Sequence, residues 1–91
     1  MSYAYALDTG VIALYFAGDS RVKPYFIEVE EGKARGYTSE LNLAEYFYKA
    51  CEKLGRRAAK LRVIQLRNTK IEVLPLEGEL TELTDLLKCK Y

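Results

Sequence analysis

Tyr3-Ala4-Tyr5-Ala6-Leu7-Asp8-Thr9-Gly10-Val11-Ile12-Ala13-Leu14-Tyr15-Phe16-Ala17-Gly18-Asp19 decides how this chain is read. Residues 3–7 alternate aromatic or large with small side chains and suit a strand, with Tyr3, Tyr5 and Leu7 on one face that is expected to pack in the core. Residues 10–17 are apolar almost all round, which suits a short helix enclosed on several sides. Gly18-Asp19-Ser20 supplies the turn that stops it. Asp8 stands at the junction. Acids disfavour strands and are seldom buried unpaired, yet the C-terminal end of a strand is where open α/β sheets bind ligands. Asp8 therefore has two readings: a helix-start acid that satisfies free N–H groups, or a site residue.

Working outward, residues 21–31 suit a second helix, with Pro24 in its first turn and Gly32 at its end. Residues 34–39 suit a second strand. Residues 41–54 give the strongest helical pattern, with Leu43, Ala44, Phe47, Cys51 and Leu54 on one face. Gly55 ends that helix and residues 56–67 begin another, so the pair predicts an αα-hairpin. Residues 71–74 suit a third strand, stopped by Pro75. Leu80, Leu83 and Leu87 mark a last helix. The order β-α-α-β-α-α-β-α predicts an α/β fold: a short parallel sheet of three strands flanked by helices in a three-layer sandwich. With 91 residues, a single domain over 1–91 is expected.

Composition narrows the chemistry. The chain is 49% hydrophobic and 30% charged, as expected of a globular protein. No apolar run reaches membrane-span length and no leader pattern follows Met1, so a cytoplasmic location is expected. Gln65 is the sole glutamine, and Asn42 and Asn68 are the two asparagines; few amides beside many Glu, Lys and Arg fit a thermophile. With no histidine, Ser-His-Asp and Cys-His catalysis and His-ligated metals are excluded, so acid–base or metal chemistry must rest on carboxylates. Cys51 and Cys89 match no zinc spacing. Cys51 sits on an apolar helix face and is expected to be a plain buried thiol. Charge is segregated: residues 49–70 carry eight Lys or Arg against one acid, Glu52. A solvated helix surface or a phosphate-facing patch would each account for that block.

The segment Leu7–Asp19 resembles the opening of PIN-domain ribonucleases. Thr38-Ser39-Glu40-Leu41-Asn42-Leu43-Ala44-Glu45-Tyr46-Phe47-Tyr48-Lys49 resembles that family's second motif, a strand end leading into a helix that bears a Glu, and Ile71-Glu72-Val73-Leu74-Pro75-Leu76 is similar to its third strand. The resemblance implies an endoribonuclease of toxin–antitoxin type dependent on Mg2+ or Mn2+. Asp8 and Glu45 would be catalytic metal ligands, with Thr9, Thr38 and Ser39 as hydroxyl neighbours in one cleft. RNA and an antitoxin protein are the partners it suggests. The physical logic is independent of the family: hard divalent cations take oxygen ligands, and clustered carboxylates repel unless a cation lies between them. Glu45 has a second reading, as the last residue of a capping box beginning at Asn42. The family's third and fourth acids lie on later segments that this sequence does not contain. The expectation is therefore a PIN-like domain lacking its C-terminal strands and acids, with an incomplete active site. The alternative is a non-catalytic module that forms a homodimer through the exposed edge of the first strand.

Overall fold

The structure is a computed structural model and describes residues 3–75. Its elements are β1 (Tyr3–Ala6), α1 (Thr9–Phe16), α2 (Lys23–Glu30), β2 (Ala34–Ser39), α3 (Glu40–Leu54), α4 (Arg56–Arg67) and β3 (Glu72–Leu74). The three strands form one parallel sheet in the order β1-β2-β3, with Tyr5 opposite Gly36 and Thr38 opposite Val73. This is the α/β architecture the alternation of patterns predicts, with four helices and a three-stranded parallel sheet. The helix expected on Leu80, Leu83 and Leu87 lies outside the described residues. No described helix is long and apolar enough to cross a membrane.

Both crossovers step the same way across the sheet, so right-handed connections bring α1–α2 and α3–α4 to one face, and the described residues form two layers of the three-layer sandwich expected. β2 shows this directly: Ala34, Gly36 and Thr38 are buried, while Arg35, Tyr37 and Ser39 are not. One core joins Leu7, Ile12, Phe26, Val29, Leu43, Phe47, Leu66 and Ile71. The sequence places Tyr3 with Tyr5 and Leu7 in this core; the structure corrects that for Tyr3, which is 63% exposed. Tyr5 is half-buried, packs edge-on against Tyr25 and donates its hydroxyl proton to Glu28, a bond that pushes the phenol up to about 12.

Helix ends follow local chemistry. α1 closes on Gly18, whose φ of +79° is a left-handed conformation; Gly18 N–H then donates to Tyr15 O and Asp19 N–H to Leu14 O. α2 begins two residues later than its sequence pattern suggests, because the Asp19 carboxylate captures the Arg21 N–H and guanidinium in a turn. Those bonds hold Asp19 down to about 2. Cys51 is fully buried as expected, but it is disulfide-bonded rather than a plain thiol. Cys89, the chain's other cysteine, lies outside the described residues.

Gly36 is where α2 meets the sheet. A Cβ on it would lie 2.9 Å and 3.2 Å from the two methyls of buried Val29 and 3.4 Å from Ile71 Cγ1. Overpacking of this kind costs about 1–3 kcal/mol. Gly36→Ala is expected to lower the urea midpoint accordingly, and Val29→Ala in the same chain is expected to recover part of the loss. Additive effects of the two substitutions would show that they do not share this contact.

Candidate active site at the strand ends

Leu7 N–H donates to Tyr37 O at 2.8 Å, the last bond joining the first two strands. Thr38 is buried, and its hydroxyl donates to Leu7 O at 2.7 Å, tying the same two strand ends together. The chain then leaves the sheet. Asp8 is the N-cap of α1, with extended backbone, and its Oδ1 accepts the Val11 N–H at 2.9 Å. In the same way Ser39 caps α3, its Oγ accepting the Asn42 N–H at 3.1 Å. Two strand-to-helix turns therefore open side by side at the C-terminal edge of the sheet. Between them lies a groove of about 190 Å³, lined among others by Asp8, Thr38, Ser39, Asn42, Tyr37 and Leu74.

Glu45 reaches this place from the second turn of α3. Thr9 is buried between the two helices, and its Oγ1 stands 3.2 Å from Glu45 Oε2, 3.3 Å from Asn42 Oδ1 and 3.3 Å from Asn42 O. One hydroxyl has one proton, and the carboxylate is the strongest of these acceptors. Thr9 thus anchors Glu45 to the start of α1, directly after Asp8. The capping-box role considered for Glu45 is not what the structure shows. Ser39 is the cap, the third residue of the helix is Asn42, and Glu45 bonds to Thr9 instead.

Of the five residues singled out in the sequence, Asp8, Thr38 and Ser39 line the groove, and Thr9 connects Glu45 to it. The hydroxyls of Thr38 and Ser39 are engaged in holding backbone, so they shape the groove rather than face into it. The Asp8 cap uses Oδ1 alone; Asp8 Oδ2 and Glu45 Oε1 carry no hydrogen bond among the described residues. The helix-start and site readings of Asp8 are therefore compatible. Sequence reasoning missed Asn42 as a member of the site. Its spacing of three from Ser39 was the available signal, because a capping serine draws that residue's N–H to the strand end.

The chain matches the family model of the PIN domain over residues 5–91. This chain belongs to the PIN-domain family. No curated protein and no solved structure matches it. PIN domains are generally nucleases and typically depend on a divalent metal. In this PIN domain the available oxygens at the strand ends are hard donors of the kind Mg2+ and Mn2+ accept. Among the described residues no three acids, cysteines or histidines gather to form a denser cluster.

Proposed function

We propose that this PIN domain is an Mg2+- or Mn2+-dependent endoribonuclease of the toxin–antitoxin type, with Asp8 and Glu45 as metal ligands. One observation carries this: Asp8 lines the strand-end groove, the buried Thr9 ties Glu45 to the helix start directly after Asp8, and among the described residues each carboxylate keeps an oxygen without a hydrogen-bond partner. Such an ion, when bound, offsets charge on the phosphoryl oxygens and activates water. The protein's own residues do the positioning. Thr9 restrains Glu45 toward α1, the Val11 N–H restrains Asp8, and Thr38 holds the two strand ends together. Two carboxylates make a weak Mg2+ site by themselves, and this ion usually relies on substrate phosphate as well. The test is cleavage of single-stranded RNA by the purified chain with Mg2+ or Mn2+, against the same reaction in EDTA. Equal cleavage in EDTA would rule the proposal out.

A second reading, a non-catalytic homodimeric module derived from a PIN domain, is favoured by the position of β1. Among the described residues it is an edge strand of the sheet. Its odd residues turn their backbone groups to β2, as Leu7 N–H does, so those of Ala4 and Ala6 face the open edge. Such an edge invites pairing with another chain. Sedimentation is expected to give a dimer at micromolar concentration, and Ala4→Pro, which removes one edge N–H, is expected to weaken it. A wild-type chain that sediments as a monomer would end this reading.

A further inference from the structure

Glu45, Lys49 and Lys53 lie four residues apart along α3 and therefore share one stripe of its surface. Thr9, Ala13 and Ala17 repeat the same spacing from the start of α1 to its C-cap. The Thr9–Glu45 contact joins the two stripes at the strand-end site. Farther along, the helices part around a second groove of about 280 Å³. Ala13, Ala17 and Ala50 form part of its shallow apolar floor; exposed Lys49 and Lys53 rise from one side and Arg62 from α4 closes it. No acid is among the described residues that line it. Arg62 is held in place: its Nη1 donates to the Tyr46 hydroxyl at 3.1 Å, and its guanidinium lies 5.3 Å from the centre of the Phe16 ring.

We infer that this groove is a phosphate track for single-stranded RNA, leading a strand along α3 into the Asp8–Glu45 site; the inference rests on the nuclease proposed above. Three features favour a nucleic-acid backbone. Glu45, Lys49 and Lys53 succeed one another at about 6 Å along the helix axis, a step comparable with that between neighbouring phosphates of an extended strand. The two lysines that line the groove follow Glu45 on the same stripe of α3, so the groove lies along the helix that carries one of the acids that would act on a phosphodiester. Three cations, Lys49, Lys53 and Arg62, and no acid are among the described residues that line it, a charge balance that suits a polyanionic backbone. The stacked Phe16 and Tyr46 rings are occupied by each other and by Arg62, so the track grips phosphate without reading bases. Binding along it is therefore indifferent to sequence.

The experiment is fluorescence anisotropy of a labelled oligouridylate in EDTA over a range of salt. Binding is thereby measured without cleavage, and failure of the metal-site proposal leaves this result standing. Lys49→Ala/Lys53→Ala is expected to weaken binding on the order of tenfold near 0.1 M salt and to reduce the slope of log K against log salt by about 1.4, two contacts at about 0.7 each for a single strand. Arg56→Ala/Lys60→Ala, on a separate surface of α4, is the control and is expected to change the slope by less than half as much. An unchanged slope in the Lys49/Lys53 variant, or an equal loss in the control, would overturn the track. So would oligo-glutamate of matched charge competing as well as unlabelled oligouridylate, since the groove would then be a general docking site for acidic proteins. Circular dichroism of both variants should match wild type, as all four side chains are exposed.

Discussion

Asp8→Asn is expected to leave the melting behaviour of the protein nearly unchanged and to slow metal-dependent RNA cleavage by about a hundredfold or more. The two halves of this result have different causes. As a helix cap, Asp8 uses one oxygen, Oδ1, to accept the Val11 N–H. Asparagine offers an oxygen of the same geometry and caps about as well as aspartate. The stability change should stay within about 0.5 kcal/mol, the scale of losing an exposed charge at a helix start. As a metal ligand, asparagine lacks the negative charge. A catalytic ion is worth several kcal/mol of charge stabilisation, and each 1.36 kcal/mol is about tenfold in rate. Asp8→Ala should lose activity in the same way and in addition about 1 kcal/mol of stability, because the cap is gone. Glu45→Gln should follow Asp8→Asn, since Gln retains an oxygen to accept from Thr9. Cleavage that survives Asp8→Asn in a folded protein would show that Asp8 is only a cap.

Ile12→Ala is expected to be the most damaging core truncation in α1. Ile12 is 0% exposed, and with Thr9 it is one of only two buried residues in that helix. Removing three carbons there leaves a cavity bounded by a packed core, a change that typically costs about 2–5 kcal/mol. Domains of this kind have about 5–15 kcal/mol in total, so the variant sits near the edge of stability. Urea unfolding should show a lower midpoint with an unchanged m value. Leu14→Ala, two residues away at a position 37% exposed, should cost far less. Equal losses at the two positions would mean that α1 is not seated as described. This prediction also bears on function, because α1 carries Asp8 and Thr9 at its start. A loosened α1 would release Thr9 from Glu45 and shift Asp8 beside it, and cleavage should fall together with stability.

Much of the fold was legible in the sequence. β2 and α4 fall on the residues their patterns indicate, and the other described elements agree to within two residues. These boundaries are local events. Glycine at a left-handed turn, Ser39 and Asp8 at helix starts, and Pro75 after β3 act through backbone chemistry that neighbouring residues determine. The shift at the start of α2 has the same local origin, but it comes from the Asp19–Arg21 turn, which a reading of apolar spacing does not register. Tyr3 was misplaced for a different reason. Period-two alternation says which side chains share a strand face, not how far along the strand the helical layer extends, and Tyr3 remains largely exposed.

The site was legible in its residue types but not in its connections. The missing histidine and the acid at a strand end pointed to carboxylate chemistry at Asp8, and family resemblance pointed to Glu45. Nothing in the spacing of Thr9 and Glu45, 36 residues apart, announces their hydrogen bond. It arises because parallel strands β1 and β2 end side by side, so that the helices following each start together. Asn42 enters the site for the same reason, and so does the alignment of the Lys49–Lys53 stripe with the small residues of α1. By itself the sequence determined the elements, their order and the oxygen-donor chemistry, since these depend on side-chain type and local backbone preference. Only the tertiary structure decided which of those groups meet, because contacts between residues distant in the chain are set by sheet register and helix packing, and neither is written in any one segment.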